Sequence, residues 1–156
     1  MDLPNIAISA NGELNRFDAF GLPVLPDGPF AGEGPLAGVL AGLDWALGLG
    51  ASELLTIPGD TPFVPRGLSA SLAPSPACAA SGDQVHHLVA LWPVGARVAL
   101  RELLSRPGPR HVARFADTIG MRRVDFPPAA WDSFLNVNTE VDLEAARAWA
   151  NDAARG

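Results

Sequence analysis

The apolar residues of this chain come in short blocks, each closed by a cluster of glycine, proline, asparagine or aspartate, and the blocks alternate between two periods. Residues 5–10 end at Asn11-Gly12, residues 22–25 at Pro26-Asp27-Gly28-Pro29, and residues 53–58 at Gly59-Asp60-Thr61-Pro62. Runs this short, bounded by turn residues, read as strands. Between them Leu36, Val39, Leu40, Leu43, Ala46 and Leu47 recur at helical spacing behind Pro35, which suits a first helical position because its missing N–H would be unpaired there anyway. Glycines 48 and 50 stop that helix.

The same alternation continues. Residues 87–92 and 123–126 read as strands, with a weaker one around Cys78 in residues 74–82. Residues 65–72, 94–104, 110–119 and 140–153 read as helices, and 14–20 as one or two helical turns. Strands alternating with helices predict a three-layer α/β/α domain with a mostly parallel sheet. At 156 residues the chain has room for one such domain. Ligands of these sheets sit outside the carboxyl ends of the strands, which singles out Asn11, Asp27 and Asp60.

Composition removes several function classes. All basic residues are arginine, so no mechanism can draw on a lysine of this chain. A net charge of -6 argues against a nucleic-acid backbone as partner. The lone Cys78 can form neither an internal disulfide nor a cysteine metal cage, which suits a reducing compartment. The first residues carry neither the charged region nor the apolar run of a secretion signal. The most apolar stretch, 35–51, carries Asp44 at its middle and reads as a buried core helix rather than a membrane span. The expectation is a cytoplasmic protein with no membrane and no nucleic-acid partner.

Three segments are candidates for chemistry. In residues 58–65, prolines on both sides pin the backbone while Asp60 projects from a strand end, where one carboxylate can hold a hard cation that keeps water and phosphate as its other ligands. The plainer reading is an aspartate bonding its own turn. In residues 32–43, glycines permit close backbone approach and the helix start offers free N–H groups, or the segment is simply a loop feeding a tightly packed helix. In residues 134–139, Asn136 and Asn138 alternate along an extended stretch and can face one cleft, while Asn138 or Thr139 also suits a cap for the last helix. Seven arginines between 97 and 123 stand against only Glu102 and Asp117, a local basic region fit for a small phosphorylated ligand or merely a solvated face. The adjacent His86 and His87 point to opposite faces of a strand and make no ligand pair.

Taken in order, residues 10–11, 21–27, 34–38, 59–62, 87–92 and 134–139 resemble the molybdenum cofactor guanylyltransferases, the MobA-type nucleotidyltransferases. The resemblance covers nearly the whole chain. It implies a fold like that of the nucleotide-diphospho-sugar transferases and transfer of GMP from GTP to molybdopterin, with magnesium as cofactor and release of pyrophosphate. It implies Asp60 as the metal-holding carboxylate and Asp27 as a nucleotide contact. A further family asparagine falls at Ser9, so that either the contact is lost or Asn11 replaces it. Arg110 or His111 would lie near the pterin phosphate, and Asn136 and Asn138 would line the catalytic cleft. GTP and molybdopterin are the implied ligands, and a molybdoenzyme or its chaperone the implied protein partner.

In this resemblance the chain opens at the family's second strand, without the front strand, the Leu-Ala-Gly-Gly loop and the lysine that cradle the triphosphate. The expectation is therefore a single nucleotidyltransferase-like domain over residues 1–156, N-terminally truncated. Such a chain transfers guanylyl weakly or not at all alone, and self-associates through an uncovered sheet edge. A cytidylyltransferase cousin and a non-catalytic molybdopterin-binding module are the competing readings.

Overall fold

The computed structural model describes residues 5–127 and 133–153. Its elements follow the chain as β1 (Ile8–Ser9), a 3-10 helix (Leu14–Phe20), β2 (Val24–Leu25), α1 (Pro35–Gly48), β3 (Glu53–Thr56), α2 (Leu68–Leu72), β4 (Ala77–Ser81), β5 (Gln84–Pro93), α3 (Arg97–Ser105), α4 (Val112–Thr118), β6 (Arg122–Asp125) and α5 (Glu140–Ala153). A short 3-10 turn (Gly28–Phe30) precedes α1, and another (Val94–Ala96) leads into α3. The alternation of two periods thus reads out as the expected α/β architecture.

The strands form a four-stranded sheet in the order β3-β5-β4-β6 and a separate parallel pair, β1 with β2. Successive side chains of β4 and β5 go to opposite faces, as the period of two requires. On one face Cys78, Ala90 and Trp92 meet the apolar stripe of α1 together with Leu100 and Leu104 of α3 and Phe115 of α4. On the other, Ala77, Ala79, Val89 and Leu91 meet Leu68 and Leu72 of α2 and Phe134. Helical or irregular segments therefore cover both faces, giving the three layers.

Within that architecture the sheet is mixed rather than mostly parallel. β4 pairs in parallel with β6, but β5 runs antiparallel to both β3 and β4. The cause is local: Ser81 and Gln84 pair directly, so β4 turns into β5 through Gly82-Asp83, with Gly82 at φ 54°. A two-residue connection of this kind can only make a hairpin. No helix among the described residues is long and apolar enough to cross a membrane.

Candidate functional site

A cleft of about 910 Å³ runs between β1 and β3 over one face of α1. Its floor is Pro35, Gly38, Val39, Gly42, Trp45, Ala46 and Leu49, the helical spacing of a single face. Glycine at two of these positions lets the wall side chains lean in over the helix. A Cβ at Gly38 would stand 2.6 Å from Ser9 Oγ, and one at Gly42 would stand 2.9 Å from Leu54 Cδ2.

The mouth near the end of β1 gathers three of the residues singled out above. Asn11 Nδ2 donates to Asp27 Oδ2 at 2.6 Å, and the Asp27 N–H donates back to Asn11 Oδ1 at 3.0 Å. This two-way bond ties the loop after β1 to the loop after β2 and fixes the carboxylate of Asp27. Its other oxygen, Oδ1, lies near Gly38, whose would-be Cβ is 3.5 Å from it, and Ser9 borders the same spot. Ser9, Asn11 and Asp27 all line the cleft, so the choice between Ser9 and Asn11 as nucleotide contact becomes one shared patch.

At the end of β3 the wall continues through Ile57, Pro58 and Gly59, and Asp60, next in the chain, lies just past the lining residues. The Thr61 N–H closes the turn onto the Pro58 carbonyl at 3.1 Å. The Val137 N–H donates to the Asp60 carbonyl at 2.7 Å, stitching residues 134–138 to this strand end. Thr61, only 3% exposed, carries the hydroxyl that links the two segments: Oγ1 lies 3.4 Å from Asp60 Oδ1 and 3.2 Å from Asn136 Oδ1. One hydroxyl proton serves one of these acceptors at a time. The structure thus brings Asp60 and Asn136 together, with Thr61 as a member that sequence reading quoted but did not assign. A buried threonine between a turn aspartate and a distant asparagine carries no spacing signal. Phe134 anchors the segment, 5.2 Å from the Phe126 ring and 4.8 Å from that of His86.

Asn138 and Arg110 lie elsewhere in the chemistry. The backbone N–H groups of Asn138 and Thr139 both donate to Asp142 Oδ2, at 3.1 and 2.9 Å, while the Asp142 N–H donates to Thr139 Oγ1 at 3.1 Å. This is a reciprocal cap on α5. Hydrogen bonding with Thr139, and then from the backbone of Asn138, holds the Asp142 carboxyl below its ordinary value. Arg110 pairs with Glu33 at 2.9 Å and donates to the carbonyls of Gly108 and Leu104 at 3.0 and 3.1 Å. Its guanidinium, 14% exposed, ties residues 28–34 to the α3–α4 connection. It is not among the cleft-lining residues.

The basic region resolves in the same way. Arg97 and Arg101 both bind Asp44, Arg106 binds Glu102, Arg122 donates to the Leu72 and Pro74 carbonyls, and Arg123 binds Asp125. Burial raises the Asp44 pKa, but hydrogen bonds and attraction from the two arginines outweigh it and leave the group below its ordinary value. These arginines are spent on structure rather than gathered around a phosphate. Among the described residues no group of three or more His, Cys, Asp or Glu is placed to hold a metal ion. The oxygen donors beside the cleft at the β3 end are those of Asp60 and Asn136.

Residues 2–120 match the MobA-like NTP transferase domain. The molybdenum cofactor guanylyltransferase of Acidiphilium cryptum is 54% identical over 143 residues, covering 92% of this chain and 72% of that one. The enzyme of the same name from Rhodopseudomonas palustris is 41% identical over 154 residues, 93% of this chain and 72% of that one. Among solved structures, a protein of Aquifex aeolicus superposes with a TM-score of 0.75 at 19% identity, covering 88% of this chain and 73% of its own. Molybdopterin-guanine dinucleotide biosynthesis protein A of Archaeoglobus fulgidus does so at 0.68 and 19%, covering 94% of this chain and 78% of its own. The two superpositions establish the fold.

Proposed function

The chain belongs to the molybdenum cofactor guanylyltransferases, within the MobA-like NTP transferase family, and from that premise we propose that it transfers GMP from GTP to molybdopterin. An oxygen of the molybdopterin phosphate forms the new bond to the α-phosphorus of GTP, and the bond from that phosphorus to the bridging oxygen breaks as pyrophosphate leaves. The observation that carries the reading is the Ser9–Asn11–Asp27 patch lining the cleft, with the Asp60–Thr61–Asn136 cluster following directly after Gly59, where the cleft wall ends.

Each group has a definite task. Asn11 holds Asp27 so that its Oδ1 faces the cleft and accepts from a hydroxyl or amino group of the nucleoside. The N-terminus of α1 opens on the same cleft at Gly34, where the positive end of the helix dipole favours an anion. Asp60 and Asn136 supply only oxygen donors, a set that fits magnesium, whose contribution when bound is to neutralise the triphosphate charge. Thr61 orients Asn136 against Asp60, and the Val137 bond keeps their segments from parting. Arg110 acts at one remove, through Glu33, on the loop that leads into α1. Asn138 belongs to the cap of α5 and sets where the Asn136 segment ends. The setting is the cytoplasm, where the substrates are small molecules and a molybdoenzyme or its chaperone receives the product.

The test is direct. Purified protein is incubated with GTP, magnesium and molybdopterin, and dinucleotide and pyrophosphate are both measured, with CTP as the competing substrate. Only weak magnesium-dependent turnover with GTP is expected of this chain alone, and Asp60→Asn is expected to take it below detection, since loss of one electrostatic group at such a centre costs ~100- to 1,000-fold. Molybdopterin binding with no GTP-dependent product would sink the proposal, and preference for CTP would reassign the base.

A further inference from the structure

Helix α5 is held to the molecule by little apolar surface. Its less exposed positions are Asp142, Ala145, Ala146 and Trp149, the i, i+3, i+4, i+7 spacing of one helical face, while the other residues of 140–150 are exposed. Val141 and Leu143 are among these, at 75% and 39%. Asp142 is taken up by the cap of the helix and the two alanines are small, so Trp149 is the one large side chain of residues 140–150 turned toward the body of the protein. Its ring meets that of Phe63 edge to face, at 6.1 Å between centroids and an interplanar angle of 63°.

Phe63 follows Thr61 by two residues, with Pro62 stiffening the backbone between them. The other end of α5 starts at the cap formed by Asn138, Thr139 and Asp142, directly after the Asn136-Val137 pair. The Asp60 turn and the Asn136 segment are thus joined twice. The short way is the Thr61 hydroxyl and the bond from the Val137 N–H to the Asp60 carbonyl. The long way runs through Phe63, Trp149 and the length of α5. The short joint, one shared hydroxyl proton and one backbone hydrogen bond, acts as a hinge. The ring contact adds a second point of attachment about 15 Å along the helix from Thr139, at 1.5 Å per residue, and two separated points fix an orientation that one cannot.

We propose that Trp149 is a positioning residue for the oxygen donors of Asp60 and Asn136. Packed on Phe63, it keeps α5 from swinging about its capped end and so holds the Asn136 segment in register with the Asp60 turn. Groups that orient the ligands of a metal, without touching it, set its affinity by ~10- to 100-fold. The assignment of these oxygens to magnesium rests on the function proposed above; the coupling of the two segments through Trp149 does not.

The test compares Trp149→Ala, Trp149→Phe, Phe63→Ala and the double variant Phe63→Ala, Trp149→Ala in the full chain. Amide hydrogen exchange is read by NMR at Thr61 and Val137, the backbone donors on the two sides of the joint, and binding of Mn²⁺ alone, standing in for magnesium, by loss of the free-ion EPR signal. Trp149→Ala is expected to quicken exchange at both amides at least ~10-fold while residues 77–81 keep their rates, and to weaken Mn²⁺ binding at least ~10-fold. Trp149→Phe keeps a ring on Phe63 and is expected to restore both to within about threefold of wild type. The double variant is expected to lose no more than either single change, because all three remove the same contact. Unchanged exchange in Trp149→Ala would overturn the proposal, as would faster exchange with wild-type Mn²⁺ binding, a phenylalanine variant no better than alanine, or additive losses in the double variant. If Trp149→Ala loses helical circular dichroism, Phe63→Ala, which leaves the side chains of α5 intact, decides by the same two readings. Wild type that binds no Mn²⁺ would remove the metal from the function proposed above, and the exchange rates would then decide the coupling by themselves.

Discussion

The two walls of the cleft are built to different standards. β3 lies against β5 over four residues, in a sheet whose two faces are both packed, and Trp92 opposite Leu54 is fully buried. β1 is two residues long, paired to an equally short β2, and every residue of the 3-10 helix between them is at least partly exposed. Half of the proposed site, Asp60 with Asn136, therefore rests on the thick side of the molecule, and the other half, Ser9 with Asn11 and Asp27, on the thin side. Regions with few buried apolar contacts open at lower free energy than the core. A nucleotide that bridges both halves would stabilise the thin one through its binding energy.

Three measurements break or sharpen this contrast. The largest effect is expected for Trp92→Ala, which removes a side chain stacked on Phe115 at a ring distance of 6.2 Å and strips the indole N–H bond to Thr56 Oγ1. A loss of about 3–5 kcal/mol is expected from urea unfolding, with both regions melting together because α1 packs against both the four-stranded sheet and the β1–β2 pair. Next comes Gly38→Val. The added Cβ meets Ser9 Oγ and the branched side chain cannot swing away, so β1 shifts at a cost of about 1–3 kcal/mol. Hydrogen exchange is expected to quicken in residues 8–10 while residues 77–81 stay slow. Equal acceleration in both would show that the walls are not independent.

The smallest effect is a pH dependence. Asp44, on α1, is held below its ordinary value by Arg97 and Arg101 of α3 despite partial burial. Its contribution is present in full above the unfolded-state pKa near 3.8 and is lost as pH falls through the lower folded-state value. Asp44 is 36% exposed, so screening limits the contribution to under ~1 kcal/mol. Comparing unfolding of wild type and Asp44→Asn between pH 6 and pH 2 checks it: the gap is expected to close in acid.

Much of the fold was legible because each element carries its own local signal. Pro35 and the stripe behind it mark α1, the Gly59-Asp60-Thr61-Pro62 break marks the end of β3, and acidic residues after Thr139 mark α5. The direction of β5 was not read, although Gly82-Asp83 between two apolar runs is a hairpin signal in its own right. The Pro-rich start of β4 hid how far that strand extends. The fate of the arginines was illegible for a different reason. Asp44 lies 53 positions from Arg97 and Glu33 lies 77 from Arg110, and nothing in local spacing couples residues so far apart. Asp27, Asn11 and Asp60 were found because strand ends are local features. Thr61's role as a link needed the 75-residue closure to Asn136.

The hydroxyl of Thr56, which takes the indole proton of Trp92 at 2.8 Å and gives its own to the Leu88 carbonyl at 2.7 Å, sits on the wall of the cleft and in the dry interior at once. A displacement of β3 by even a fraction of an ångström would alter the electrostatic surroundings of a chromophore that solvent never reaches. The chain thereby carries an internal optical gauge: the emission colour of one tryptophan follows what happens on the far side of the strand.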